Sequence, residues 1–297
     1  MSVKGFLKAC GKAFLYFAVY FVWQVIVVNW VSIIATFFVS AEYDSANMPD
    51  YAAMMDEITT RVYDIVDRWS LHITLVSGAL AVITFIVIFK IRGKKPLMEM
   101  GITRLPLSQV PLLILFGLSL NMFISVFLSL IPFPQSWVDS YNSSTGVFAE
   151  SGTLITMLTV LVCAPIVEEI TFRGLIYSRL CRGMPVFAAM LISSWIFGVI
   201  HGNIIQMLYA ALLGYIICYT RVKYQSLTAS ILVHFGFNLF SILGDFMEGV
   251  GETAAYIIML GGAAVSLGLL IYISRRNGGK VEFSMKENTE DGPHTLA

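Results

Sequence analysis

Apolar residues along the chain form long blocks separated by short polar stretches. The blocks cover residues 14–39, 71–89, 110–131, 154–167, 186–200, 204–219, 227–243 and 255–273. A helix of about 20 apolar residues crosses the hydrocarbon core of a bilayer. Several blocks reach that length, whereas the fourth, fifth and sixth are short or flanked by polar residues. Backbone N–H and C=O groups in lipid must bond internally, and no barrel-like alternation is present, so the blocks read as helices. The expected fold is all-α: a polytopic membrane protein with about eight transmembrane helices.

The polar stretches fix the orientation. Lys4, Lys8 and Lys12 precede the first block, and Lys90, Arg92, Lys94 and Lys95 follow the second. Arg173, Arg179 and Arg182 follow the fourth block, Arg221 and Lys223 the sixth, and Arg275, Arg276 and Lys280 the eighth. The intervening stretches carry Asp44, Asp50, Asp56, Glu57, Asp64 and Asp67, then Asp139 and Glu150, then Asp245, Glu248 and Glu252. Basic residues thus fall on alternate sides, which places both termini in the cytoplasm. The first block is too long for a signal-peptide core of about 7–15 residues and reads as a membrane span. Residues 42–68 form a polar extracytoplasmic loop with some helix, and residues 277–297 form a cytoplasmic tail without periodicity that is expected to be disordered. The absence of an evident internal repeat speaks against a repeat-built transporter.

Composition narrows the class. The 297 residues are 57% hydrophobic and 13% charged, about half the charged share of a soluble domain. The chain is expected in the cell membrane as a multi-pass protein. Zero formal net charge offers nothing for nucleic acid. Cys10, Cys163, Cys181 and Cys218 form no CxxC pair and read as small buried hydrophobes rather than a disulfide framework or thiolate metal site.

The candidate chemistry lies in polar residues within the apolar second half. Charge in a bilayer core costs about 2.5–3.5 kcal/mol per ionised group, so such residues must be paired or used. Glu169 and Arg173 are four apart and share a helix face, where they can neutralise each other. Glu168 points about 100° away and is left to face a cavity, placed to act as a general base. Pro165 removes an amide donor just before the glutamates and can kink the helix. His201 follows Phe197 by one turn, between Gly198 and Gly202. His234 and Asn238 project to one side of another helix, where they can act on a water, a metal or a developing oxyanion. His72 and His294 read as incidental. Met190, Trp195, Met207 and Phe240 read as packing or lipid-facing residues.

The ordered set Glu168-Glu169-x-x-x-Arg173, Phe197-x-x-x-His201 and His234-x-x-x-Asn238 resembles the CPBP intramembrane proteases. These include the type 2 CAAX prenyl endopeptidases and the bacteriocin-processing or self-immunity (Abi) proteins. On that likeness the chain divides into N-terminal helices with an extracytoplasmic loop and no motif (1–151), a CPBP-like catalytic core (152–245), a last transmembrane helix (246–276) and the tail (277–297). The resemblance implies an intramembrane endopeptidase acting on a membrane-associated peptide or protein. Glu168 and His201 would activate a water, His234 and Asn238 would stabilise the oxyanion, and Glu169 and Arg173 would support the site. Two mechanisms fit: a glutamate protease without cofactor, or a metalloprotease in which Glu168, His201 and His234 hold one divalent metal, zinc first. The metal-free route is preferred, because Asn238 is a poor zinc ligand and a good oxyanion donor. Two other classes stand beside the protease: a non-catalytic immunity or adaptor protein, and a proton-coupled transporter using the same polar relay.

Taken as straight, full-length spans, these segments leave one conflict. Glu168 and His234 would lie near the cytoplasmic side, and His201, about 24 Å along its helix from Pro185, toward the far side.

Overall fold

In the computed structural model, residues 2–43, 50–150, 154–243 and 250–276 are described. Asp44, Asp245, Glu248, His294 and the whole tail from 277 lie outside the described residues. The chain begins with α1 (Val3–Ser40), started by the Ser2 hydroxyl, which accepts from the Gly5 amide. Then come α2 (Tyr51–Arg68), α3 (Ser70–Ile91), α4 (Pro96–Met100), α5 (Val110–Ser129) and α6 (Gln135–Glu150). A composite helix over residues 154–180 follows. It contains α7 (Leu154–Leu158), a π segment (Thr159–Cys163), α8 (Ala164–Glu168), a second π segment (Glu169–Tyr177) and α9 (Ser178–Leu180). The chain ends in α10 (Val186–Val199), α11 (Ile204–Tyr224), α12 (Leu227–Leu243) and α13 (Glu252–Arg275). No strand occurs among the described residues.

The protein is therefore all-α and polytopic. Five helices, including α5 with its leading 3-10 turn, are long and apolar enough to cross a membrane: Val3–Ser40, Ser70–Ile91, Leu107–Ser129, Ile204–Tyr224 and Glu252–Arg275. The apolar α10 and α12 are shorter than these. The outer helices turn large apolar side chains outward: Phe14, Trp30 and Phe37 of α1, and Tyr256 and Ile257 of α13, are all more than 60% exposed. Such surface is stable against lipid, not water. Inside, Phe85, Phe89, Phe172 and Phe197 build one core, and Leu113, Phe116, Leu120, Ile217 and Val233 build another. Gly117 and Gly236 bring α5 and α12 so close that backbone of the partner helix fills the place of a Cβ at each, the small-residue packing common to membrane helices.

Two sequence expectations change, and a third gains detail. The fourth helix does not end near Val167 but runs on to residue 180, because Glu169, Thr171 and Arg173 are fully buried and find partners inside the protein. The stretch holding Asp139 forms helix α6 rather than open loop, tied to the bundle by Asn203 donating to Ser140 at 3.0 Å and by Tyr141 against Tyr209. Within the polar segment 42–68, α2 lays Met54 and Ile58 on Val39 of α1.

The longer fourth helix also narrows the conflict over His201. Residues 154–180 and α10 form a hairpin closed by residues 181–185. Ser193 donates to the Phe172 carbonyl at 2.9 Å, and the Phe172 and Phe197 rings meet at 5.2 Å, so the two arms run antiparallel. Glu168 lies 12 residues before Leu180, about 18 Å back from the turn. His201 lies about 24 Å along the other arm, roughly one helical turn beyond the level of Glu168.

Candidate active site

The site is built around the composite helix, and its π segments follow from the sequence. Pro165 has no N–H to continue the backbone ladder. In the preceding π segment the Ala164 amide bonds Thr159 O, five residues back. The next carbonyl in that register, Val160 O, would need the missing Pro165 donor. Asn238 of α12 supplies it, its amide nitrogen donating to Val160 O at 2.9 Å. Asn238 thus fastens α12 to the composite helix and keeps one further N–H. Single π turns inside helices recur at functional sites, and here the second begins at Glu169.

The buried centre is a chain of three residues. Arg173 donates from Nη1 to Glu169 Oε1 at 3.0 Å, with both side chains at 0% exposure. The same Oε1 accepts from His234 Nδ1 at 2.9 Å. A carboxylate oxygen only accepts, so the proton sits on Nδ1 and His234 Nε2 is directed elsewhere. It lies 3.7 Å from Glu168 Oε2. Glu168 is the more open of the two acids, facing a narrow crevice lined by Tyr20 of α1, Thr74 of α3, and Thr159 and Cys163.

Phe197 is the hub between these groups. Its ring carries the Arg173 guanidinium at 4.3 Å, and it meets the His234 ring edge-on at 6.0 Å and the His201 ring at 4.8 Å. His201 sits in the turn after α10 and donates from Nδ1 to the Phe197 carbonyl at 2.7 Å. That carbonyl also fixes its tautomer, leaving Nε2 as the acceptor. Gly202, at φ +75°, turns the chain there, a conformation that glycine adopts without penalty. Asn203 then caps α11 by accepting from the Ile205 and Gln206 amides.

The structure thus brings Arg173, His201 and His234 around Phe197, with Glu169 and Glu168 beside His234, while Asn238 is held one turn from His234 against the π segment. The sequence reading paired His234 with Asn238 and gave Glu169 to Arg173 alone; the structure adds His234 as a third member of that pair. Four further contributors were not read from the sequence. Tyr20 and Thr74 reach the crevice from helices without a motif. Arg221 of α11 donates to the Arg173 carbonyl and, at 2.9 Å, to Ser178. Gly214 leaves the space that the Arg173 guanidinium occupies, since a Cβ there would lie 2.5 Å from Nη2. A glycine inside a helix costs about 1 kcal/mol against alanine, and that was the available signal for Gly214.

Zinc would need three ligands here. Two imidazoles with locked Nδ1–H groups and a carboxylate are suitable chemistry. Among the described residues, no three His, Cys, Asp or Glu side chains come together as a ready metal-binding group.

Residues 150–240 match the family described as Type II CAAX prenyl endopeptidase Rce1-like. The chain is 30% identical over 82 residues to a Bacillus subtilis protein named "Putative membrane peptidase YdiL". That alignment covers 28% of this chain and 34% of the relative, so the chain spans about a third of the length of the curated relative it matches. No solved structure matches. Residues 150–240, which carry the two glutamates, the arginine, the two histidines and the asparagine within a helical multi-pass membrane protein, are thus similar to the Rce1-like type II CAAX endopeptidases and, in part, to a putative membrane peptidase.

Proposed function

We propose that the protein is an intramembrane endopeptidase that hydrolyses a peptide bond in a membrane-associated peptide or protein, of the CAAX type or a peptide precursor, by glutamate and histidine chemistry. The observation that carries the reading is the relay from Arg173 through Glu169 to His234, which aims Nε2 at Glu168 3.7 Å away. A water seated to one side of that gap reaches both groups at hydrogen-bond distance. Glu168 takes the proton as the water oxygen attacks the carbonyl carbon, and His201 assists through Nε2. The oxyanion is held by an Nε2–H of His234, whose positive charge Glu169 supports, and by the remaining N–H of Asn238. Collapse expels the amine, which receives the proton from Glu168. Buried general bases contribute about 10²- to 10⁴-fold, and preorganised oxyanion donors about 10²- to 10³-fold.

The test is Glu168→Gln in the full chain, reconstituted in proteoliposomes with membrane-anchored peptides and read by mass spectrometry of the products. Loss of at least 10²-fold in product formation, with normal abundance and melting temperature, is expected. Undiminished cleavage by the variant would end the proposal.

A further inference from the structure

The basic residues that follow the second and fourth apolar blocks were used above only for orientation. In the folded protein they meet. Lys12 of α1, Arg92 and Lys94 after α3, Arg179 of α9 and Arg182 of the following turn line one cavity of about 50 Å³, with no acidic side chain in its wall. A space of that size holds roughly four water-sized groups, by the allowance of about 10–15 Å³ for each, which suits a phosphate. Gly183 sets this arrangement by packing the turn directly on α1, where a Cβ would lie 2.5 Å from Ala9.

The charge of the cluster is incompletely balanced. Glu99 pairs with Arg179 at 2.6 Å and with Lys94 at 3.1 Å. Lys12, Arg92 and Arg182 have no ion-pair partner among the described residues. Arg179, nearly buried, rests on the Tyr16 ring at 5.5 Å and forms a fixed floor. Burial, together with the adjacent Arg179, pushes the Arg182 guanidinium below its usual pKa, as expected where cations outnumber the acids beside them.

An apolar groove of about 200 Å³ continues from this cavity. It is lined by Leu15, Val19, Ile88 and Ile91, and it shares Tyr16 and Arg92 with the basic wall. A cationic pocket opening into a lipid-facing groove matches an amphiphile with an anionic head and a hydrocarbon tail. Tyr16 is one helical turn from Tyr20, which lines the Glu168 crevice.

We propose that this is a binding site for an anionic phospholipid, the phosphate held among Lys12, Arg92, Arg179 and Arg182 and an acyl chain lying along Leu15, Val19, Ile88 and Ile91. Basic residues at a membrane surface each contribute about 1 kcal/mol toward anionic lipid. Removal of two cations therefore weakens binding about 30-fold, at 1.4 kcal/mol per factor of ten.

The experiment is native mass spectrometry of the full chain in detergent, titrated with phosphatidylglycerol or phosphatidylcholine of the same acyl chains. Wild type is expected to retain phosphatidylglycerol selectively. Arg92→Gln with Arg182→Gln is expected to bind it about 30-fold more weakly, with phosphatidylcholine unaffected. Arg92→Lys with Arg182→Lys keeps the charges and is expected to restore most of the binding, which separates charge from folding. Equal retention of both lipids, or unchanged selectivity in the glutamine variant, overturns the proposal. So does full displacement by millimolar inorganic phosphate, which would make this a free-phosphate site. Preferential capture of a lipidated peptide with a free C-terminal carboxylate, abolished by the same glutamines, would instead assign the pocket to a substrate tail.

Discussion

Glu169→Leu removes the acceptor that two buried donors share. Arg173 Nη1 at 3.0 Å and His234 Nδ1 at 2.9 Å both rely on Oε1, and neither carboxylate nor guanidinium is exposed at all. Loss of one partner strands the other as an uncompensated buried charge, at about 3–5 kcal/mol. Arg173→Met strands the carboxylate for a similar cost. Two such losses summed would exhaust much of a typical stability of about 5–15 kcal/mol. The double variant behaves differently, since no charge remains in the pocket and only the His234 Nδ1–H is left without an acceptor. That orphan costs about 1–3 kcal/mol, so the double variant is expected to be more stable than either single one. Catalysis is expected to stay low in all three, because His234 loses the group that orients it. Stability is read in detergent with a thiol-reactive dye, for which the fully buried Cys218 is a natural reporter; turnover is read on the same preparations. A double variant as unstable as the sum of the singles would refute the energetic pairing. A stable double variant that turns over normally would refute the orienting role of Glu169.

Gly214→Ala places a Cβ 2.5 Å from Arg173 Nη2 and 3.2 Å from the Phe197 ring. Overpacking of about 1–3 kcal/mol is expected, with partial recovery of the melting temperature on adding Arg173→Lys; an unchanged melting temperature would contradict the packing. On the proposed metal-free route, strong chelation is expected to leave peptide cleavage intact; inactivation reversed by zinc would reject that route. At Glu99, burial raises the carboxyl pKa, but hydrogen bonds from Lys94 and Arg179 outweigh it and hold it below 4.5. The folded value lies below the unfolded one, so this stabilisation is present above about pH 4.5 and fades as the pH falls through the folded value. Glu99→Gln is therefore expected to melt lower than wild type at neutral pH and to converge with it in acid; a gap that widens in acid would reverse the assignment.

Much of the architecture is legible because the bilayer is a demanding solvent. Apolar blocks of spanning length announce helices wherever unsatisfied backbone is prohibited, and the alternation of basic loops follows from the same constraint. The motif spacings place Glu169 with Arg173, and His234 with Asn238, on shared faces, since one helical turn is a local property. The fourth helix misleads for the opposite reason. Hydropathy ends it at Val167, where charged residues begin, yet those residues continue the helix because they are buried against protein, not lipid.

The sequence by itself determined the helical membrane class and singled out the polar residues on which the proposed chemistry rests, for both depend on composition and short-range period alone. Only the tertiary structure decided that Glu169 serves Arg173 and His234 together, that Asn238 answers the carbonyl freed by Pro165, and that five cations from three segments surround one cavity. Those outcomes are contacts between residues up to 170 positions apart, set by how helices pack side by side, and no local pattern records that packing.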